Sequence, residues 1–251
     1  MLFIGIDLAW SPRNRSGGAI IRDQQLIAQS GVLGDNDEIV DFAVAHLQSG
    51  EGAVVAVDAP LRVPNLTGSR HCDQALSADW RAYEAGALPA NRRLLTHNGA
   101  VRGEILVELF RGQAGFQETA PLPRQGTGRY ICEIFPHPAH VSFFQLGKTL
   151  KYKAKPGRTP AMRRQVFAKY IQLLRTLEQA SPPLYNVHQV VPQDLDTLRG
   201  RDLKALEDML DAVTCSYTAN YLWHHGPART KLYGNVTDGH ILTPPLPGLS
   251  A

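Results

Sequence analysis

The stretch Ala53 to Pro60, AVVAVDAP, constrains this chain more than any other: it is a continuous apolar run halted by a proline. Such a run reads as a strand buried on both faces, which needs covering layers above and below and so an α/β arrangement. At 251 residues the chain is long enough for one large domain, or a domain with a sizeable insertion, and a core of that size needs no disulfide staples. Cys72, Cys132 and Cys215 lie far apart with no CxxC pair, which fits neither a disulfide framework nor a zinc ribbon. There is no signal-peptide pattern, and no apolar run approaches the ~18 residues of a membrane span. The expectation is a cytoplasmic protein without membrane contact.

Around that strand the chain reads as a mixed sheet. Leu2 to Ala9 is apolar and β-prone, and Gly17 to Arg22 with Gln25 to Val32 continues it as an antiparallel meander. The next segment, DNDEIVDFAVAHLQSG, has Asp35 or Asn36 as N-cap, early acids and helical spacing of Ile39, Phe42, Val44 and Leu47, and it closes on Gly50. AVVAVDAP then lies parallel to an earlier strand after a helical crossover. Residues 62–129 break the rhythm as an Arg-rich insertion with short helices expected at 71–85 and 102–112. YICEIFPHPA, Tyr130 to Ala139, restores a fifth strand, and helical patterns follow at about 160–179 and 201–224. A tail with an Asp238-Gly239 turn signal ends the chain.

Three of these strands place one acid among apolar neighbours: Asp7 in IGIDL, Asp58 in VAVDAP and Glu133 in YICEIFP. A lone acid at a strand end is commonly capped or solvent-reaching. Three buried ones each need a cation, a hydrogen-bond network or a metal, because desolvating an unpaired carboxylate costs several kcal/mol. On the last helix Leu203, Leu206, Leu210, Val213, Tyr217 and Tyr221 form one stripe, with Glu207, Asp208 and Asp211 beside it. Acids on the flank of an amphipathic helix are usually solvated. Beside the sheet, they could instead converge with the strand acids on Mg²⁺ or Mn²⁺, which take oxygen ligands. Two such ions ~4 Å apart would activate a water and stabilise the leaving oxygen of a phosphodiester.

Three strands, a helix and a strand, with acids on the first and fourth strands and a later acidic helix, resemble the ribonuclease H-like fold. GIDLAW, VAVDAPL, EIFPHPA and EDMLDAVTCSYTA, taken in order, look like the domain-of-unknown-function family 429, whose members are described as predicted nucleases with that fold. The resemblance spans nearly the whole chain. It implies a single domain over 1–251 built on a mixed five-stranded sheet flanked by helices, with the insertion at about 62–129 between strands four and five. It places Asp7, Asp58, Glu133 and Asp211 on the family's acidic positions. The Asp208-x-x-Asp211-Ala spacing is similar to the helix of Holliday-junction resolvase-like relatives, and which of Asp208 and Asp211 is the ligand stays open.

A formal charge of +3 permits nucleic acid without arguing for it. Locally, Ile134 to Leu177 contains no Asp or Glu and nine Lys or Arg. Such a run is often a solvated face. Placed after the Glu133 strand, KYKAKPGR could instead hold a phosphate backbone through Lys151, Lys153 and Arg158, with Tyr152 for stacking. The insertion carries nine Arg and no Lys, suited to phosphate but equally to internal pairs with Asp73, Asp79, Glu84, Glu104 and Glu108. Of His71, His97, His137 and His140, conceivable proton donors or ligands, His137 is the best placed, and simple packing is the ordinary role for such a residue. Cys132 alternates away from Glu133 toward the core.

The reading is a divalent-metal-dependent nuclease that hydrolyses phosphodiesters of DNA or RNA by metal-activated water; no specific protein partner is implied. One alternative is a non-catalytic nucleic-acid or protein binding module on the same fold. An actin-like ATP-binding phosphotransferase shares the GIDL motif, but VDAPLRVP lacks the glycines its second phosphate loop requires.

Overall fold

The computed structural model describes residues 1–192 and 194–248; Gln193 and residues 249–251 of the expected domain span lie outside the described residues. In chain order the elements are β1 (Leu2–Asp7), β2 (Ser16–Arg22), β3 (Gln25–Leu33), α1 (Asn36–Val44), β4 (Ala53–Val57), α2 (His71–Trp80), α3 (Arg92–Leu95), β5 (Thr96–His97) and β6 (Ala100–Val101). There follow α4 (Arg102–Ala114), β7 (Gln117–Glu118), β8 (Arg129–Glu133), α5 (Pro136–Phe143), α6 (Pro160–Thr176), α7 (Val187–Val190), α8 (Gly200–His225), β9 (Lys231–Asn235) and β10 (Gly239–Thr243).

The central sheet runs in the order β3-β2-β1-β4-β8-β7. The first three strands form an antiparallel meander, whereas β1, β4, β8 and β7 are mutually parallel. Six strands are present rather than the expected five, because the stretch expected as an insertion returns a short strand, β7, to the sheet edge beside β8. The same stretch supplies α4, whose Leu106, Val107 and Phe110 join Ile4, Ile6, Val55 and Val57 in one buried cluster with Ile39 and Val40 of α1. It is therefore woven into the sheet's covering layer. Its arginines are largely structural: Arg102, 6% exposed, donates to the carbonyls of Ala9, Ser11 and Gly34 and to Asn36.

The opposite face, carrying Phe3, Val54, Ala56, Cys132 and Ile134, is covered by α8 and by Phe167, Tyr170 and Leu174 of α6. The helix α8 lies unusually close to the strands. A Cβ on Gly5 would stand 2.0 Å from the Ala212 carbonyl oxygen, and one on Gly17 would stand 1.9 Å from that of Asp208. Glycine at these positions is what lets a helix backbone rest on a strand backbone. Ser216 fixes the contact by donating from Oγ to the Phe3 carbonyl at 2.8 Å.

Two element boundaries differ from the sequence reading for local reasons. The first helix stops at Val44 rather than near Gly50, while Asp35 does cap it, accepting from the Glu38 amide. YICEIFPHPA does not remain extended: Pro136 opens α5, where its fixed φ and missing N–H suit a helix's first turn, and the strand ends at Glu133.

Candidate metal centre

Asp7 closes β1 and Asp58 directly follows β4, so both stand at the carboxyl ends of parallel strands, where α/β sheets present their ligand sites. The register pairs Ile6 with Val57, and the ladder runs on through the Asp58 amide donating to the Ile6 carbonyl at 2.8 Å. Asp7 and Asp58 are thus neighbours on one face. Alternation assigns that face: Phe3 and Ala56, two or four residues back, belong to the side covered by α8. From the helix, Asp211 completes the group, and one oxygen from each of Asp7, Asp58 and Asp211 lies within 4.8 Å of the others.

Glu133 does not join them. Its register partner is Val57, one step before Asp58, so its side chain alternates to the other side of the sheet. There it is 3% exposed and forked onto Arg70, whose Nη2 donates to Oε1 at 2.5 Å and Nη1 to Oε2 at 2.8 Å. The Leu61 amide adds a third donor at 2.9 Å. Burial pushes this carboxyl up and Arg70 opposes it. Glu133 thus lines the cleft at its edge, paired with Arg70, and is not grouped with the three aspartates. Asp208, one turn before Asp211, also lines the cleft: Lys204 pairs with its Oδ1, and it hydrogen-bonds with Asp7, so it stands beside the three aspartates without belonging to their group.

Asp211 is 0% exposed and is held from behind. The Tyr152 hydroxyl donates to its Oδ1 at 2.5 Å, and the Lys153 ammonium stands 3.0 Å from its Oδ2. Tyr170, linked to His140 and Thr214, lies next to the same oxygen at 3.4 Å. Burial alone would raise the Asp211 carboxyl, but Lys153, His140, His137 and the Tyr152 hydrogen bond hold it below the usual range. Asp7 and Asp58 behave oppositely. Burial at the floor of the cleft drives Asp7 well above the ordinary carboxylate range and Asp58 to about 7; Lys153 offsets this only in part, and Asp211 adds to it. Two acids on one spot without enough positive charge form a site that a hard cation would relieve.

Asp7 and Asp58, with Asp208 and Glu133, line a cleft of about 610 Å³ that also receives Trp10, His97, Lys155 and Arg158, while Asp211 lies buried behind them. The expected phosphate-binding residues divide. Arg158 lines the cleft and donates to the Lys153 carbonyl. Lys151 lines it too but is ion-paired with Glu84, and Lys153 turns onto Asp211. Tyr152 corrects the stacking expectation: its hydroxyl is drawn inward onto Asp211 and its ring packs in the core, 0% exposed, with no ring face free for a base. Elsewhere in the basic run, Arg163 pairs with Glu207. The insertion's arginines meet acids: Arg62 with Glu118, Arg70 with Asp73, Arg92 with Glu104 and Arg111 with Glu108. His137 lines the cleft with Nε2 unpartnered, and burial lowers its pKa well below the usual value, so it is neutral at pH 7 and no proton donor. His140 is fully buried, and Cys132, as expected, lies in the core; all three thiols are buried and free.

The supports that sequence reading missed are Arg70, Lys204, Tyr170 and the acid-facing role of Lys153. The spacing Arg70-x-x-Asp73 and Lys204-x-x-x-Asp208 did signal local pairs. Nothing in the sequence marked the long-range partners. Among the described residues no helix is long and apolar enough to cross a membrane.

No curated protein and no solved structure is detectably similar to the chain. Residues 5–236, most of the chain, match a family described as a protein of unknown function, DUF429, and with the acids of its cleft inside that span the chain belongs to this family.

Proposed function

We propose that this protein is a divalent-metal-dependent nuclease on a ribonuclease H-like fold, hydrolysing phosphodiester bonds of DNA or RNA. The observation that carries the reading is the convergence of Asp7 and Asp58, at the carboxyl ends of parallel strands and lining a cleft with basic residues at its margin, with the buried Asp211 of α8 behind them. Their oxygens form a hard donor set suited to Mg²⁺ or Mn²⁺, and the raised Asp7 and Asp58 supply the electrostatic demand for such an ion. Asp7, Asp58 and Asp211 would hold such an ion, which would supply Lewis-acid polarisation of a phosphoryl oxygen and a more acidic water for hydrolysis.

The chain's own residues do the rest. Tyr152 and Lys153 fix the Asp211 carboxylate, while Lys155 and Arg158 offer positive charge to a backbone entering the cleft. His137, neutral by its burial, lines the cleft with its Nε2 unpartnered. Labelled single-stranded, duplex, hybrid and branched DNA and RNA, incubated with Mn²⁺, test the reading. Cleavage that Asp7→Asn abolishes supports it. A native chain that binds these substrates yet cuts none points to the binding module instead.

A further inference from the structure

Resting on the metal reading above, we infer that the Lys153 ammonium occupies the place of a second divalent ion, so that this is a one-metal centre with a built-in positive charge. The outer acids are engaged by other cations: Glu133 shares Arg70 with Asp73, and Asp208 shares Lys204 with Glu207. Within the group of Asp7, Asp58 and Asp211 the ion pair among the described residues is that of Lys153, 3.0 Å from Asp211 Oδ2. Three carboxylates against one ammonium leave two negative charges, which a single divalent ion neutralises. A second ion would give the centre an uncompensated excess of positive charge in a largely desolvated place.

The ligand count gives the same answer. A two-metal site needs acids to bridge and flank both ions ~4 Å apart. Glu133 lines the same cleft, but both its oxygens are engaged by Arg70 and the Leu61 amide, so it is not free to flank a second ion. Lys153 reaches the acids from a loop, lines the cleft and keeps its side chain 30% exposed, at the wall where a phosphate would lie. It can therefore serve both the acids and an incoming substrate oxygen, as a second metal would.

Mn²⁺ titration of the native full chain, read by calorimetry and by electron paramagnetic resonance, tests this. The expected result is one Mn²⁺ per chain with an isolated six-line spectrum. Lys153→Ala and the longer, uncharged Lys153→Met are expected to take up a second Mn²⁺, with dipolar broadening from a neighbouring ion. Lys169→Ala, an exposed lysine on α6, should stay at one. Circular dichroism melts establish that the variants are folded. Two ions on the native chain, or one on both folded Lys153 variants, overturns the lysine inference while leaving the metal reading intact. No Mn²⁺ binding by the native chain overturns both.

Discussion

Asp58 and Glu133 stand one register step apart, and that step gives two similar-looking strand acids different work. Asp58 shares its face with α8 and keeps an unsatisfied demand for charge, whereas Glu133, at the edge of the same cleft, is met by Arg70. The folded state holds the Asp58 proton to about pH 7, against about 4 in an unfolded chain, so between these values the folded state carries more protons. Metal-free stability therefore falls as pH rises from about 4 to about 7 and stays lower above it. Asp58→Asn should stabilise the metal-free protein at pH 8 by ~1–3 kcal/mol, a figure discounted because the cleft admits solvent. Thermal melts at pH 8 and pH 5 check this: the gain should be present at pH 8 and much smaller at pH 5. Tyr152→Phe removes the donor at 2.5 Å from Asp211 and should weaken Mn²⁺ binding ~10-fold, read by calorimetry, with the fold retained.

At the scale of elements, the site depends on how closely α8 lies on the sheet. Gly5→Ala would place a methyl group 2.0 Å from the Ala212 carbonyl, forcing the helix away from β1. The expected cost is ~1–3 kcal/mol or more of stability, together with a loss of metal affinity, because Asp211 moves with the helix. A melt and a Mn²⁺ titration on the same preparation separate the two effects. The strands, the N-cap at Asp35 and the helices were legible in the sequence because apolar runs, caps and a period of 3.6 are local signals. Which acids meet was not fully legible. Asp7 and Asp58 could be named from their apolar surroundings, Asp211 only as one of the acids beside the helix stripe with Asp208 still open, and separating Glu133 from the group needed the register between β4 and β8, which no local pattern encodes. Tyr152 could have been assigned inward by alternation within KYK, yet a loop after a strand gives that pattern little authority.

For the whole molecule, two covered sheet faces divide the labour. One is a packed core with α1 and α4, and the other carries α8 with the acids at its end. The segment between β4 and β8 was legible as Arg-rich but not as part of the sheet, because β7 is only two residues long. Its arginines were legible as candidates for internal pairing, and four of them meet acids. Because Asp7 and Asp58 must lose protons to hold a cation, Mn²⁺ affinity should rise by ~10-fold or more from pH 6 to pH 8, with protons released on binding. Calorimetry in buffers of different ionisation enthalpy reads that release directly.

The central claim is that Asp7, Asp58 and Asp211 hold a divalent cation. Isothermal titration of Mn²⁺ into the native chain and into Asp7→Asn tests it most directly. The account predicts saturable binding by the native chain and at least ~100-fold weaker binding by the variant, since the ion loses a charged ligand. Equal binding by the two, or none by the native chain at pH 8, would contradict it.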